Sequence, residues 1–348
     1  MSANSPTRID RAAIEPSRDV TQERVVVARG YGLRIYVRSG RLLISDGQFA
    51  DRRTRRLHRV TSGLERLIVI GHNGYVTFDA LRWIADVGAA FVQIDSDGRL
   101  LTTSIANGPD LAALRRAQAL AGGSETGVEL ARAVLAQKLA GQRAVLDELP
   151  HVHNTGDRVD AALSEIREAE TLQDLLLAES QAAEAYWGAW ASLPIPFPAR
   201  DHAKLTSHWQ TFGQRASLLS KGPRHATNPA GAILNYLYAL LEAETTLACH
   251  AVGLDPGLGI FHVDQRDRDS LALDLMEAVR PLVDGYVLAL LTQRTLAASD
   301  FVETRRGACR LKPRLASELT VCAVASRDGA ARPARRGDHR VGRGQHSD

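Results

Sequence analysis

The chain has 348 residues, an apolar fraction of 45% and a charged fraction of 24%, which describe an ordinary globular protein long enough for two domains. It holds no run of about 18 uncharged apolar residues, its N-terminus is polar, and its three cysteines are widely spaced. These features argue against a membrane span, a secretion signal and a disulfide framework, and they fit a reducing cytoplasm. Residues 326–348 contain three more Arg than Asp, which accounts for the whole net charge of +3. The rest of the chain is therefore formally neutral, and charge does not identify the partner.

The first hundred residues are rich in predicted strands. After a leader over residues 1–22, for which we expect disorder, apolar and polar residues alternate on both sides of a Ser39-Gly40 turn, which predicts a hairpin with one buried face. Many short strands with turn signals and one helix predict a β-sandwich-like domain over residues 23–105. The predicted strands are Leu33–Arg38, Arg41–Asp46, Arg66–Ile70 and Ala90–Ile94, with a short helix capped by Thr77 before the last one.

Asn107-Gly108-Pro109 interrupts this pattern, and we take residues 106–110 as a linker. The segment 111–319 shows apolar residues at spacings of three and four, which predicts an all-α domain and makes the fold class α+β. Helices are predicted over 110–121, 126–148, 157–169 and 171–192, before three prolines in Leu193–Pro198. A further helix should begin at Asn228-Pro229 and end near Val252, where Gly253 can take a left-handed conformation.

The segment 320–348 is rich in Ala, Arg and Gly and has no apolar period. Such a composition cannot bury enough apolar surface to fold alone, so we expect a basic, disordered tail. A DNA-binding arm and an altered reading frame are both compatible with it.

Two acids near the C-terminal end of the helical domain are candidates for chemistry. Asp274 and Glu277 are three residues apart, so they share a helical face, and leucines surround them. Carboxylates beside apolar surface are costly unless a cation or proton compensates them. His262 ends the Gly- and Pro-rich loop before this helix and could supply a nitrogen ligand. In the alternative interpretation the acids pair with Arg280 or Arg268, and His262 is a loop histidine with a local partner.

Glu179 has a similar setting on the predicted helix 171–192. Small residues at 178, 182 and 183 would let a neighbouring backbone come close and bury its carboxylate. The alternative is an alanine-rich packing face with an acid at its edge.

The segment from Lys204 to Arg224 interleaves aromatic and basic side chains, including Trp209, Phe212 and Arg215. Such a mixture can hold phosphates and stack on exposed bases. Alternatively, Trp209 and Phe212, three residues apart, form the buried face of a helix.

In combination, four segments resemble the family of CRISPR-associated integrases/endonucleases that insert new spacers during adaptation. The resemblance covers about residues 22–318 and is most specific over residues 227–281. Its motifs are Glu179–Trp187 (ESQAAEAYW), Asn228–Tyr238 (NPAGAILNYLY), Gly253–Asp264 (GLDPGLGIFHVD) and Arg268–Pro281 (RDSLALDLMEAVRP).

The resemblance implies that Glu179, His262 and Glu277 are ligands of one Mg²⁺ or Mn²⁺. Asp274 matches a second family acid and would bind the metal directly or through water. Carboxylates with one imidazole suit these cations better than a thiolate site would. Asn235 and Tyr236 fall on the family's Asn-Tyr motif, and we interpret them as supporting or DNA-positioning residues; the alternative is that they only pack the helix. Trp209, Arg215 and Arg224 of the preceding loop are candidates for the same role.

For the whole protein, the resemblance implies a catalytic helical domain and an N-terminal domain that mediates homodimerisation. The expected substrates are double-stranded and branched DNA, and the expected reaction is attack of a DNA 3′-hydroxyl on a phosphodiester at a repeat border. A small ferredoxin-like subunit is the expected partner. Two other functions remain open: a transposon-encoded integrase of the same fold, and a non-catalytic DNA-binding assembly subunit.

Overall fold

The computed structural model describes residues 24–47, 52–71, 73–95, 100–104, 109, 111–149, 154–202, 205–213, 226–266, 268–305 and 307–327, with the backbone alone described over 321–327. The strands are β1 (Val25–Arg29), β2 (Leu33–Arg38), β3 (Arg41–Asp46), β4 (Arg53–Leu57), β5 (Arg66–Ile70), β6 (Gly74–Val76), β7 (Ala90–Ile94), β8 (Leu100–Ser104), β9 (Phe301–Glu303) and β10 (Cys309–Leu311). The helices are α1 (Phe78–Asp86), α2 (Ala112–Ala121), α3 (Glu125–Asp147), α4 (Thr155–Glu168), α5 (Leu172–Trp190), α6 (Ala199–His202), α7 (Pro229–Ala251), α8 (Ser270–Glu277), α9 (Arg280–Gln293) and α10 (Pro313–Arg327). The strand-rich part precedes the helical part along the chain, which confirms the order predicted for the α+β fold.

The N-terminal part contains two four-stranded sheets, with strand orders β1-β5-β7-β8 and β4-β3-β2-β6. The predicted hairpin β2–β3 is confirmed, because Arg38 pairs with Arg41 across a turn whose residues Ser39 and Gly40 have φ values of 51° and 73°. Two positive φ values in succession are what a tight hairpin turn requires. The facing sides of the two sheets share one apolar cluster with α1, which contributes Trp83.

Strands β1, β5 and β7 of the first sheet are buried on both faces. Leu67 on β5 packs into the cluster between the sheets, whereas the next residue, Ile68, packs into the large cluster of the helical part. Burial on both faces explains why Arg66–Ile70 is a continuous apolar run. Its strands β1, β5 and β7 are parallel, with α1 between β5 and β7. The helical part therefore packs against one face of this sheet.

Helix α7 is the central helix of the C-terminal part and is buried along most of its length. Its start is as predicted, since the Asn228 side chain accepts a hydrogen bond from the Gly231 amide at 2.7 Å. Its end is also as predicted, with Gly253 at a φ of 80°. An ion pair of 2.7 Å between Arg66 on β5 and Glu244 on α7 links it to the first sheet.

Two features of the C-terminal part differ from the predictions. The short hairpin β9–β10 lies within a domain predicted to be all-α. Helix α10 continues to Arg327, so the prediction that helical structure ends at Leu319 is wrong by about two turns. Small and polar residues such as Thr320 obscure the period there, although Thr320 is fully buried and its hydroxyl lies 2.8 Å from that of Tyr236. Residues 1–22 and 328–348 lie outside the described residues.

Within the described parts of the chain, no helix combines the length and apolar character needed to span a membrane.

Candidate metal centre

Glu179 and Glu277 come from distant parts of the sequence and meet around one cation. Glu179 lies on α5 and Glu277 at the C-terminal end of α8. Between them lies Lys138 of α3, whose Nζ is 2.5 Å from Glu179 Oε1 and 2.6 Å from Glu277 Oε2. The ammonium group therefore bridges two carboxylates that the sequence proposes as metal ligands.

Glu277 is buried and strongly biased towards its charged form. Its Oε1 accepts a hydrogen bond from Arg280, and its Oε2 has the ion pair with Lys138 but no hydrogen bond of good geometry among the described residues. Burial alone raises the pKa of this carboxyl, but Arg280 and Lys138 outweigh it and lower the pKa to about 2. Glu277 is therefore available as an anionic ligand throughout the physiological range.

Arg280 is held in place by an aromatic contact as well as by Glu277. Its guanidinium lies over the ring of Tyr238, 4.3 Å from the ring centroid. The Tyr238 hydroxyl donates to one oxygen of buried Asp284, and Tyr186 donates to the other at 2.9 Å. Burial raises the pKa of Tyr186, so this phenol stays protonated and keeps donating. The network fixes Arg280 as a permanent counter-ion of Glu277.

His262 and Asp274 form a second unit, which shares α8 with Glu277 through Asp274. Asp274 is fully buried, and its two oxygens accept hydrogen bonds from the backbone amides of Ile260, Phe261 and His262 at 2.5, 3.2 and 2.9 Å. His262 Nδ1 lies 2.6 Å from Asp274 Oδ1. The carboxylate therefore holds the loop and orients the imidazole, which directs Nε2 away from Asp274 as a potential ligand atom.

These residues fit a divalent cation in their chemistry, although the described residues contain no group of three or more His, Cys, Asp and Glu side chains assembled for metal binding. Glu179 and Glu277 already enclose a positive charge, and the buried Glu277 Oε2 has no other partner among the described residues. Two carboxylates with an oriented imidazole are a suitable donor set for Mg²⁺ or Mn²⁺. The assignment of Glu179, His262 and Glu277 as ligands stays a prediction.

The predicted site residues thus form two groups, His262 with Asp274 and Glu179 with Glu277. Asp274 and Glu277 share a helix, but Asp274 serves the loop of His262 while Glu277 reaches the pair with Glu179. Since the oxygens of Asp274 are occupied by amides and an imidazole, the structure favours orientation of His262 over direct metal ligation for this acid.

Two of the five predicted supporting residues, Trp209 and Tyr236, are buried. Trp209 is buried against Phe301 in the helical core, which favours the buried-face alternative over DNA stacking. Tyr236 is buried too, and its hydroxyl is engaged by Thr320. Asn235 is half-buried on α7. Arg215 and Arg224 lie outside the described residues.

Lys138 is the site residue that the sequence analysis missed. A signal for it exists: Leu135, Lys138, Leu139 and Gln142 fall on the buried face of α3. A lysine at such a position is almost never buried without a partner of opposite charge, so this pattern could have indicated an internal ion pair.

Comparison with known proteins shows the family of this chain. The model of the family "CRISPR associated protein Cas1" matches residues 26–321. The "CRISPR-associated endonuclease Cas1 1" of Archaeoglobus fulgidus is 31% identical over 305 residues, which are 82% of this chain and 83% of the relative. Among solved structures, a "Casposase bound to integration product" is similar with a TM-score of 0.70 and 25% identity over 86% of this chain and 81% of that one.

A chain of a "Cas6-RT-Cas1--Cas2 complex" is similar in fold, with a TM-score of 0.68 and 18% identity over 92% of this chain and 34% of that one. The family match over most of the length and the relative in Archaeoglobus fulgidus show that this chain belongs to the CRISPR-associated protein Cas1 family.

Proposed function

We propose that this chain is a divalent-metal-dependent DNA endonuclease and integrase that inserts short DNA fragments into a CRISPR repeat array by transesterification. The observation that supports it most is the convergence of Glu179 and Glu277 on one cation position in a Cas1-family chain. The relative in Archaeoglobus fulgidus is named an endonuclease, and the similar casposase is bound to an integration product.

The protein residues have distinct tasks in this reaction. Glu179, Glu277 and His262 would hold Mg²⁺ or Mn²⁺, which supplies polarisation of the scissile phosphate and stabilisation of the leaving oxygen. Asp274 fixes the orientation of His262, and Arg280 keeps Glu277 anionic. The attacking 3′-hydroxyl oxygen forms a bond to phosphorus as the bond to the leaving 3′-oxygen breaks. The attacking hydroxyl gives up a proton and the leaving oxygen takes one up, so the reaction needs no oxidant or reductant.

The outer face of the second sheet supports DNA as the substrate. The strand register places Arg34 next to Tyr75, Arg38 opposite Arg41, and Arg56 on the neighbouring strand, all on the face away from the apolar cluster. The four arginines are exposed, and no described residue of these strands on that face is acidic. Such a surface suits the phosphate backbone of a duplex.

Replacing both Arg38 and Arg41 with glutamine should weaken duplex binding equally for unrelated sequences. Each lost phosphate contact lowers the slope of log K against log salt by about 0.9, so the double variant should lose about 2 in slope. Fluorescence anisotropy with a labelled duplex across a salt series measures this. Arg59→Gln is the control, because Arg59 in the same domain is already neutralised by Asp86 at 2.9 Å. Equal slopes for the double variant and the wild type would exclude this face.

Strand transfer of a short duplex into a repeat-bearing plasmid tests the function itself. We expect integration that EDTA abolishes and that Mn²⁺ or Mg²⁺ restores, because the carboxylate pair alone cannot stabilise the leaving oxygen. We also expect it to increase with a small ferredoxin-like partner, the role we assign to the Cas2 subunit, which would bridge homodimers of this chain. Transfer that is unchanged by EDTA would contradict the proposal.

The casposase similarity makes one rival worth testing in the same assay. A transposon-encoded integrase would share the metal centre but would use transposon ends as donor and would not select a CRISPR repeat. Preference of the donor for repeat borders, measured by sequencing the insertion sites, distinguishes the two functions.

A further inference from the structure

Lys138 is unusual in this chain by its residue type alone. Lys and Arg together number 43, but only four of them are lysines: Lys138, Lys204, Lys221 and Lys312. Lysine is a compact charge on a flexible stem, whereas the guanidinium of arginine is a broad, rigid donor. At the one described position where a cation lies between Glu179 and Glu277, the chain uses lysine.

The two cations beside Glu277 differ in how firmly they are held. Arg280 stacks on Tyr238, interacts electrostatically with Asp284 and contacts only one of the two glutamates. Lys138 contacts both glutamates, and its side chain is 9% exposed. Arg280 is thus anchored by groups that do not belong to the carboxylate pair, while Lys138 depends on that pair for its position. If one cation gives way to a metal ion, it is Lys138.

Charge balance leads to the same residue. Two carboxylates with Lys138 and Arg280 carry no net charge, which is a stable arrangement for partly buried groups. A divalent metal added to all four groups would leave an excess of two positive charges. Exchange of Lys138 for the metal leaves an excess of one, which the phosphate of the DNA neutralises. A metal and the ammonium also cannot share the same two oxygens, Glu179 Oε1 and Glu277 Oε2.

We propose that the Lys138 ammonium occupies the metal position of the metal-free protein, holds Glu179 and Glu277 together there, and must leave before a divalent metal binds. Lys138 is thus a positioning residue that sets the affinity of the centre for metal. This inference rests on the proposed metal-dependent function. The alternative is a purely structural lysine that stays between the glutamates whether or not metal is present.

Mn²⁺ titration followed by the EPR signal of the free ion tests the exchange. Lys138→Met keeps the length and apolar stem of the side chain and removes the competing charge, so we expect it to bind Mn²⁺ at least about tenfold more tightly than the wild type. Without metal it should unfold at a lower temperature, and Mn²⁺ should raise its Tm more than that of the wild type. Arg143→Gln is the matched control, since Arg143 lies on the same helix but pairs with Asp147 and Asp160 at the surface.

Acylation of the wild-type protein gives a second measurement that needs no variant to fold. Lys138 should be protected from an amine-reactive reagent without metal and should become reactive when Mn²⁺ is added, as read by mass spectrometry of its peptide. Lys312, which is exposed, should react equally in both states and serves as the internal standard.

The outcomes separate the two proposals. If the wild type binds Mn²⁺ but Lys138→Met binds it equally or more weakly, or if Lys138 stays protected with metal bound, the exchange is wrong while metal binding stands. If the wild type, Lys138→Met and Glu179→Gln all fail to bind Mn²⁺, the proposed metal-dependent function itself is wrong.

Discussion

Replacing Glu179 with glutamine is expected to reduce metal-dependent strand transfer by about 10³-fold or more. Glutamine keeps the size of the side chain but removes the negative charge that, with Glu277, surrounds the cation position. Without the metal's stabilisation of the leaving oxygen, the activation free energy of transfer rises by about 4 kcal/mol. Each 1.36 kcal/mol of activation free energy changes the rate tenfold. Initial rates of transfer into a repeat-bearing plasmid at saturating Mn²⁺ measure the effect.

The control for this variant lies on the same helix. Glu184 is exposed and pairs only loosely with Arg158 at 3.8 Å, so Glu184→Gln removes the same charge from α5 without touching the centre. It should transfer strands at the wild-type rate. Transfer by Glu179→Gln within tenfold of the wild type, at equal Tm, would remove Glu179 from the reaction.

Glu277→Gln should also abolish transfer, but it should cost stability as well. Its carboxylate is the direct partner of both Arg280 and Lys138, and its amide replacement would leave buried Arg280 without a full counter-charge. Glu179 has only Lys138 as a described partner and is more exposed. Comparing the Tm values of the two variants therefore separates loss of a ligand from loss of the fold.

Local features of this chain were predictable because the causes are local. The caps at Thr77 and Asn228 and the hairpin turn at Ser39-Gly40 depend on residues within a few positions of each other. The parallel pairing of β1 with β5 could not be predicted in this way, since it joins Val25 to Arg66 through a register that no turn sets.

The site was predictable in its residues but not in its arrangement. A spacing of three placed Asp274 and Glu277 on one face, yet on a helix such residues still diverge by about 60°. That divergence is enough for one to hold the loop of His262 and the other to reach Lys138. The partner lysine lies on a helix far away in sequence, so only the fold identifies it. For Trp209, an aromatic residue between basic ones has the same pattern in a core as on a DNA surface, and only its burial in the fold favours the core.

Replacing Asp274 with alanine is expected to have the largest effect on stability. The variant removes the acceptor of the amides of Ile260, Phe261 and His262, together with the partner of the His262 ring. Leaving such buried donors unpaired costs about 3–5 kcal/mol. Thermal unfolding should show a Tm lower by about 4–7 °C, because an unfolding entropy of about 2.1 cal/mol/K per residue gives roughly 1.4 °C per kcal/mol for a chain of this size.

Asp264→Ala provides the matched control, because Asp264 lies on the loop that Asp274 holds. Its carboxylate is exposed and accepts a single hydrogen bond from the Gly259 amide at 2.9 Å, so its loss should cost about 1 kcal/mol. The two variants remove the same chemical group from segments only ten residues apart. A similar loss of Tm for both would mean that Asp274 has no special role in the loop.

The nitrogen NMR spectrum of His262 shows whether Asp274 acts through the imidazole as well as through the loop. In the wild type the contact with Asp274 should keep a proton on Nδ1 and leave Nε2 as the unprotonated nitrogen. Asp274→Asn keeps the size of the side chain but removes its charge, so the Nε2-protonated form should gain population and Mn²⁺ affinity should fall about 10–100-fold. An Asp274→Asn protein with an unchanged imidazole spectrum and unchanged Mn²⁺ affinity would limit Asp274 to holding the backbone, because a purely structural acid would leave the tautomer of His262 as it is.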